Sequence, residues 1–518
     1  MATPQEKLAD SLEALKALQD RGVVAIRTAD LSRTHRERLV KNGFLKDVMK
    51  GWYIPASPNE DRGETTAWYA SFWRFCAAYL NARFGDDWCI GPEQSLSLHA
   101  GNLTVPPQLL VRAPKGSNKP TALLHGTSIF DMRATMPGAG DIMTMDGLRV
   151  YTPAAALAHI SAGYFVQQAT DARTALASFT DASDILAQLL EGGHSVIAGR
   201  LAGAFRNIGR DRIADDIIGA MNAAGYKVRE TDPFENRFDI ALPRREISPH
   251  AGRIRLMWQT MREAVIDNFP PVPGLPNDID AYLKRVDDAY VADAYHSLSI
   301  EGYRVSPALI ERVRSGGWNP DAEKEDCDHR DAMAARGYYQ AFEQVKNSIR
   351  AILNHENPSA VADRDHGSWY RELFAPSVAA GLVKASDLAG YRSGNVYIRR
   401  SMHVPPPPAA VRDAMPVFFE MLEGEDNPAV RIVLGHFIFV YIHPYMDGNG
   451  RMGRFLMNVM LASAGYPWTV VPVEQRDAYM DTLEQASAAQ NIVPFARFVG
   501  DLVADRLAGA PVAGVPSG

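Results

Sequence analysis

The stretch that decides the fold of this chain runs from residue 443 to residue 454 and reads HPYMDGNGRMGR. A mainly apolar run, Ile432 to Ile442, precedes it, and the apolar sequence FLMNVMLASAG follows it. Because Pro444 disfavours helical geometry at the residue before it, the first apolar segment must end as a helix at His443. The sequence therefore predicts two buried helices, over 429–443 and 451–464, joined by a tight glycine turn.

The turn has the composition of an anion-binding site. Gly448 and Gly450 leave backbone N–H groups open just before a helix N-terminus, which is where proteins commonly bind phosphate. Arg451 and Arg454 fall in the predicted first turn of that helix, where a cation opposes the helix dipole by roughly 0.3–1 kcal/mol. A bound polyphosphate reverses the sign of that effect, so the pattern predicts a site for nucleotide phosphates.

Two further residues of the turn carry chemistry. Asp447 supplies a hard oxygen ligand for Mg²⁺, which usually needs only one or two carboxylates beside substrate phosphates. His443 lies four residues earlier and has an ordinary pKa near neutrality, which suits a base for an attacking hydroxyl. The alternative is a glycine-rich turn with solvated arginines. We disfavour it, because eight motif positions are filled together.

The stretch resembles the signature of the Fic (filamentation induced by cAMP) family, HPFx[D/E]GNGRxxR, with Tyr445 in place of Phe. The resemblance covers about residues 260–505. It includes GYRSGNVYIRRSMHVPPPP (390–408), similar to the flap hairpin of the family, and residues 465–487, similar to the helix after the signature. It implies a helical fold with a β-hairpin flap, and transfer of AMP from ATP to a hydroxyl side chain of a target protein.

The resemblance also implies a role for each matching residue. His443 deprotonates the target hydroxyl, and Asp447 holds Mg²⁺ on the phosphates. The flap docks the target segment as an added strand near Tyr397, Ile398 and Arg399. The residues expected to contact the phosphates are Gly448, Asn449, Gly450, Arg451 and Arg454.

Three other side chains compete for a place at the site. Tyr479 is predicted to bind nucleotide, and His403 lies in a stretch that could also reach it. His436 is two turns before His443 on the same helix face, but we expect it to be a buried, hydrogen-bonded structural residue.

A second motif, Ser297-Leu298-Ser299-Ile300-Glu301-Gly302, matches the inhibitory pattern [S/T]xxxE[G/N] of Fic proteins. A long helix is predicted from Asp278 to a C-terminal glycine, Gly302, and Ser297 and Glu301 share one face of it. A glutamate at a helix C-terminus is disfavoured by the dipole, which favours a specific cationic partner over simple solvation. In the family that partner corresponds to Arg454.

The N-terminal region suggests a DNA-binding module. Residues 5–21 are predicted to form a helix, and Thr28 or Asp30 can cap a second helical stretch. A third helix is predicted over 32–41, followed by a strand–turn–strand around Lys50-Gly51. Six basic residues against two acidic ones between positions 33 and 50 give a local charge of +4. LVKNGFLKDVMKGWYIP resembles the winged helix of the abortive-infection antitoxin family of type IV toxin–antitoxin systems. The alternative is a solvated helix face on a protein-interaction module.

Bulk properties place the chain among soluble multidomain proteins. It has 518 residues, a net charge of −7 and three cysteines, Cys76, Cys89 and Cys327, without metal-ligand spacing. No signal peptide or membrane span is expected, which favours a cytoplasmic location.

We predict a multidomain, mainly α chain. A winged helix is expected over 1–58, and a small antitoxin-like α/β domain, with strands at 109–113 and 148–151, over 59–245. A Fic domain follows over 246–510, and its inhibitory helix lies near 278–302.

The function predicted from the sequence is protein adenylylation that uses ATP and Mg²⁺ and is inhibited by Glu301. The expected partners are a target protein with a Ser, Thr or Tyr hydroxyl, this chain itself as a target, duplex DNA through residues 28–54, and a second copy in a homodimer. The alternative is a DNA-binding autoregulator whose Fic domain serves as a nucleotide sensor. Another nucleoside triphosphate, or removal of AMP by the same site, also stays open.

Overall fold

A computed structural model of the chain describes residues 3–58, 65–235, 248–317 and 329–515. Two compact units are present: the first comprises Met1–Arg253 with Tyr397–Val404, and the second comprises Ile254–Val396 with Pro405–Gly518. Twenty helices and nine short strands occur in the described residues, so the prediction of a multidomain, mainly α chain is confirmed. Cys327 lies outside these residues, and Cys76 and Cys89 are buried and free.

The first unit begins with α1 (Pro4–Gln19), whose Thr3 and Glu6 side chains form a capping box. A small antiparallel sheet follows, in the order β1-β3-β2. The hairpin predicted around Lys50-Gly51 is confirmed, with Gly51 at φ 86° in the turn. The elements are β1 (Ile26–Arg27), α2 (Arg33–Lys41), β2 (Leu45–Met49) and β3 (Trp52–Pro55).

One predicted helix in this region is wrong. The stretch after Thr28 forms a turn instead, because the Asp30 carboxylate accepts a hydrogen bond from the Arg27 N–H at 2.7 Å. The next helix, α2, starts only after Ser32, whose hydroxyl caps it by accepting from the His35 N–H. The order is therefore helix, strand, helix and hairpin rather than three helices and a hairpin.

The rest of the first unit packs helices around a second sheet, in the order β4-β5-β7-β6. The strands predicted at 109–113 and 148–151 are confirmed as β5 and β9. The remaining elements are α3 (Thr66–Phe84), β4 (Cys89–Ile90), α4 (Pro92–His99), β5 (Gln108–Ala113), β6 (Pro120–Ala122), β7 (Ser128–Arg133), β8 (Ile142–Met145), β9 (Leu148–Tyr151), α5 (Pro153–His159), α6 (Tyr164–Gln167), α7 (Ala169–Ala177), α8 (Ser183–Gly192), α9 (Ser195–Asn207) and α10 (Asp211–Ala223).

The second unit is built from helices around one large apolar core. Each helix predicted here is present, and α12 begins after Asp278 and ends before Gly302, which has φ 84°. The helices are α11 (Pro249–Ile266), most of which belongs here, α12 (Ile279–Ile300), α13 (Pro307–Ser315), α14 (His329–Leu353), α15 (Pro358–Ala379), α16 (Pro408–Glu423), α17 (Pro428–Ile442), α18 (Asn449–Ala462), α19 (Arg476–Ala488) and α20 (Val493–Leu507). None of the helices in the described ranges is both long enough and apolar enough for a membrane span.

The flap departs from the prediction. Residues 390–404 contain no strand, so the predicted β-hairpin is not formed there. Residues 397–404 belong to the first unit, where the Met402 carbonyl oxygen accepts a hydrogen bond from the Val105 N–H at 3.0 Å. The chain does turn at Arg400, with φ 60°, where the Ser401 N–H donates to the Ile398 carbonyl oxygen at 3.2 Å, but the residues on either side form no paired strands.

The close contact of α14 with α15 generates a stability prediction. A Cβ added at Gly337 would overlap the Leu373 carbonyl oxygen, whereas one at Gly367 would meet only the flexible end of Arg371 at 3.4 Å. Gly337→Ala should therefore destabilise the protein by about 1–3 kcal/mol. Gly367→Ala is the matched control and should be neutral or stabilising by up to about 1 kcal/mol. Denaturant unfolding of both variants tests this, and wild-type stability in Gly337→Ala would contradict the packing.

Candidate active site

The loop between α17 and α18 has an unusual backbone at its first residue. His443 is the C-cap of α17 and adopts the left-handed conformation, with φ 53° and ψ 61°. Such a conformation is uncommon for a residue with a side chain, and the following Pro444 restricts it further. A strained residue of this kind persists only where its surroundings hold it in place, which is frequent at functional sites.

The His443 imidazole is held in one orientation. Its Nδ1–H donates to the Val440 carbonyl oxygen at 3.0 Å, because a carbonyl can only accept. In the neutral ring Nε2 then carries the lone pair. Burial lowers the pKa of His443, the Val440 contact opposes this, and the positive charge of Arg392 lowers it further. The ring is therefore ready to act as a base near neutral pH.

The second half of the loop begins α18 earlier than predicted. Gly448, with φ 76°, is the N-cap, and the helix starts at Asn449. A Cβ at Gly448 would press on the Phe374 ring at 2.8 Å, so both the backbone and the space require glycine. Arg451 consequently lies in the first turn and Arg454 in the second, rather than both in the first.

Asn449 stabilises the loop through its own amide. Its Oδ1 accepts from the Tyr445 N–H and its Nδ2 donates to the Tyr445 carbonyl oxygen, both at 2.9 Å. The side chain is 1% exposed. In this structure it fixes the loop conformation, and the phosphate contact that the resemblance implied for it stays a prediction.

Arg451 is buried between two rings. Its guanidinium lies 5.1 Å from the Tyr303 ring centre and 5.0 Å from that of Phe374, and 1% of the residue is exposed. The Asp447 carboxylate approaches one nitrogen at 3.7 Å. The Nε–H, however, has no hydrogen-bond partner in the described part of the chain. A buried cation with an open donor is typical of an anion site.

Arg454 joins α18 to the end of α12, as the inhibitory motif predicted. Its Nε donates to the Ser297 hydroxyl at 2.9 Å, and its Nη2 donates to the Ser297 carbonyl oxygen at 3.0 Å and to Glu301 Oε1 at 2.8 Å. Its Nη1 has no partner among the described residues, although Arg454 is only 3% exposed. Arg454 thus also keeps an unused donor.

Glu301 occupies space directly over the amino end of α18. A Cβ on Gly450 would overlap Glu301 Oε1, so only glycine lets the carboxylate approach this closely. Burial raises the pKa of Glu301, but the charges of Arg454 and Arg451 lower it more, so the pKa lies below its ordinary value. An ionised carboxylate therefore lies where the sequence predicted a phosphate.

Asp447 is the most exposed polar residue of the loop, with 68% of its side chain accessible. Its Oδ1 accepts from the Gly448 N–H at 2.6 Å. No group of three or more His, Cys, Asp or Glu residues that could hold a metal ion occurs in the described ranges. The donor set fits Mg²⁺ only as the single carboxylate that completes coordination by substrate phosphates.

Two of the competing side chains, Tyr479 and His436, contact each other and feel the charge of Arg454. The Tyr479 hydroxyl is 2.8 Å from His436 Nε2, and both residues are buried. Burial and the charge of Arg454 lower the pKa of His436 to about 3, so it stays neutral and structural, as predicted. The nucleotide-binding role of Tyr479 stays a prediction. His403 and the flap residues Tyr397, Ile398 and Arg399 group with the first unit.

Sequence reasoning missed Arg392. This arginine is 2% exposed and donates to the His443 carbonyl oxygen at 2.7 Å. Its only signal was its place beside the apolar Tyr391 in a stretch otherwise interpreted as a flap. Tyr303 and Phe374, whose rings enclose Arg451, were missed as well, because nothing in their local sequence connects them with the loop.

Comparison with known proteins identifies the segment that holds the loop. Residues 367–461 match the Fic/DOC family. The similarity to the Fic/DOC family is thus shown for this segment. Protein adenylyltransferase Fic of Culex quinquefasciatus is 30% identical over 228 residues, which are 43% of this chain and 42% of that protein. The protein of the same name from Drosophila grimshawi is 30% identical over 230 residues, which are 43% of this chain and 44% of that protein. The chain thus spans less than half the length of these relatives.

Among solved structures, Fic-1 (residues 134–508) from C. elegans is similar to this chain, with 18% identity and a TM-score of 0.37 over 66% of this chain and 96% of that one. The Fic assignment rests on the sequence match and on the loop, not on this similarity. The antitoxin-like character of the N-terminal region stays a prediction.

Proposed function

We propose that this protein is an adenylyltransferase that transfers AMP from ATP to a hydroxyl side chain of a target protein. One observation carries the proposal. The loop from His443 to Arg454 joins an imidazole whose Nδ1 is held by Val440 to a helix N-terminus beside two buried arginines, each with one N–H that has no partner among the described residues. The curated relatives, which are named as protein adenylyltransferases, support the same reaction.

In the proposed reaction His443 Nε2 takes the proton of the target hydroxyl. The hydroxyl oxygen forms a bond to the α-phosphorus of ATP, the bond from that phosphorus to the bridging oxygen breaks, and pyrophosphate leaves with the electron pair. The N–H groups of Arg451 and Arg454 and the amides at the start of α18 bind the phosphate oxygens. Such a site accelerates the reaction mainly by orientation and by stabilising charge.

Asp447 is the residue that would hold Mg²⁺ together with the ATP phosphates. The ion would neutralise charge on the phosphates when bound. The exposed carboxylate, in a described part of the chain without a cluster of three or more potential metal ligands, fits an ion whose other ligands are the nucleotide phosphates.

Glu301 is proposed to inhibit this reaction. Its carboxylate binds Arg454 at 2.8 Å and lies against Gly450, where the end of the triphosphate would bind. ATP can then bind only in a pose that does not align the α-phosphorus with the hydroxyl. A charge-assisted contact of this kind contributes about 1.5–3 kcal/mol, which corresponds to roughly 10- to 100-fold suppression of the productive pose.

DNA binding through residues 28–54 stays a prediction, and the contacts of α2 do not favour it. The guanidinium of Arg36 donates to the Thr28 carbonyl oxygen, and that of Arg38 to the Ser11 hydroxyl. Arg33 pairs with Glu37. The Lys46 amine also lies 3.2 Å from the His125 Nε2. Four of the six cations counted in the sequence are thus engaged within the chain, so we do not propose the autoregulator as a second function.

The base assignment predicts the effect of removing His443. His443→Ala should lower the rate of AMP incorporation by about 100-fold or more, since general-base catalysis contributes on that scale. ATP affinity should stay near that of wild type, because other residues bind the phosphates. The exposed His355→Ala serves as the control and should keep full activity. Unchanged turnover in His443→Ala would rule out this base.

The same assignment predicts the pH dependence. The reaction needs neutral His443, whose pKa lies below its ordinary value because of burial. The rate should therefore rise with pH through a midpoint below about 6.5 and then stay level through neutrality. Initial rates between pH 5 and 8 measure this midpoint.

The inhibitory contact predicts a gain of activity. Glu301→Gly should raise AMP incorporation by about 10- to 100-fold at saturating ATP, because it releases Arg454. Glu301→Gln should raise it less, since the amide oxygen still accepts a hydrogen bond. Adding Arg454→Ala to Glu301→Gly should keep the rate low, because a phosphate ligand is lost.

A matched control is available at another helix end. Glu423 also ends a helix before a glycine, Gly424, and is exposed. Glu423→Gly should leave the rate unchanged. If Glu301→Gly and wild type incorporate AMP at equal rates while both remain active, Glu301 does not inhibit the enzyme.

A further inference from the structure

Arg392 is a fully buried arginine whose donors converge on the end of α17. Its Nε donates to the His443 carbonyl oxygen at 2.7 Å, its Nη2 donates to that of Ile442 at 3.4 Å, and its backbone N–H donates to that of Pro444 at 2.9 Å. One residue thus binds three successive carbonyl groups. The same guanidinium also donates to the carbonyl oxygens of Gly394 and Pro406.

The Ile442 and His443 carbonyls belong to the last residue and the C-cap of α17, where the helix offers no further N–H, and the Pro444 carbonyl follows directly. The last carbonyls of a helix need donors from elsewhere, and a cation is favoured there because the helix dipole is negative at this end. Pro444, which has no N–H, cannot supply one. Arg392 meets both needs, from a segment about fifty residues away in sequence.

The same carbonyls bracket the strained residue of the loop. His443 has φ 53° and lies directly before a proline, a conformation that the chain does not adopt without support. On one side the His443 N–H donates to the Phe439 carbonyl oxygen at 3.0 Å. On the other side the His443 carbonyl is fixed by Arg392. Loss of the second contact would let the peptide between His443 and Pro444 rotate and carry the imidazole away.

We infer that Arg392 is a positioning residue, which holds the backbone at Ile442, His443 and Pro444 so that the imidazole stays aimed at the target hydroxyl. This inference rests on the proposed function and adds a residue that acts through His443 rather than on the substrate. Arg392 has a second, electrostatic effect: its charge lowers the pKa of His443, whereas the carboxylates of Glu301 and Asp447 raise it.

The test compares Arg392→Gln and Arg392→Lys with wild type in the full-length chain. Arg392→Gln should lower kcat at least tenfold while the KM for ATP changes less than twofold, because the phosphate ligands are untouched. Arg392→Lys keeps the charge but has fewer donors, so it should recover part of kcat. Arg255→Gln is the control for general damage, since Arg255 is a buried arginine of the same unit that binds Glu420.

A second measurement does not depend on activity. The pKa of His443 is followed by NMR in ¹³C-histidine-labelled protein, with His443→Ala used to assign the signal. Removing a positive charge in Arg392→Gln should raise this pKa, and the acid limb of the kcat profile should move to higher pH with it. In Arg392→Lys and Arg255→Gln the midpoint should stay near that of wild type.

Two results would overturn the inference. One is a kcat in Arg392→Gln within twofold of wild type. The other is a loss of kcat that merely follows the loss of folded protein, as in Arg255→Gln, with an unchanged His443 midpoint. If no variant incorporates AMP, wild type and Glu301→Gly included, the proposed function fails. The His443 NMR signal then decides: if its chemical shift in Arg392→Gln is that of wild type at every pH, the ring has not moved and the positioning role is rejected.

Discussion

Two arginines are buried near the amino end of α18, where the helix dipole repels cations. Uncompensated buried charges destabilise a protein by about 3–5 kcal/mol, so this arrangement requires anions close by. The exposed Asp447 carboxylate pairs with Arg451, and Glu301, at the end of α12, pairs with Arg454. Much of the second unit depends on this requirement, since it fixes how α12, α15 and α18 meet and why residues 448 and 450 are glycines.

The need of the buried arginines for a nearby anion also connects the stability of the fold with the proposed inhibition by Glu301. Glu301 lies at the carboxyl end of its own helix, where the dipole disfavours an anion, so it is stabilised mainly by the arginines of α18. A triphosphate at the same place would offer the arginines more charge and would use the donors that Glu301 leaves open on Arg451 and Arg454. The resting state and the nucleotide-bound state would then compete for one set of donors, with a difference of a few kcal/mol between them.

The sequence predicted those parts of the fold that depend on local patterns. The limits of α12 follow from the Asp278 cap and the Gly302 turn, and the hairpin at Lys50-Gly51 follows from a glycine with positive φ. It failed for the turn after Thr28, where the Asp30 side chain binds the backbone instead of capping a helix. It failed at the flap too, because a hairpin needs two paired strands and residues 390–404 form none.

Within the candidate site, the sequence predicted which residues of the motif lie together in the loop. The contact of Glu301 with Arg454 agrees with the inhibitory pattern that contains Glu301. It could not find Arg392 or the rings of Tyr303 and Phe374, because their contacts join segments far apart in the chain. Nor could it show that Asn449 binds the backbone of its own loop, since an asparagine in a turn fits a phosphate ligand equally well.

In the proposed reaction this site transfers the α-phosphorus of ATP to protein. The most direct measurement compares ATP labelled at the α-phosphate with ATP labelled at the γ-phosphate, using the Glu301→Gly protein and its His443→Ala double variant. Label from the α-position should become covalently bound to protein, label from the γ-position should be released as pyrophosphate, and His443→Ala should abolish the incorporation. Covalent label from the γ-position, or α-label that persists in His443→Ala, would contradict it.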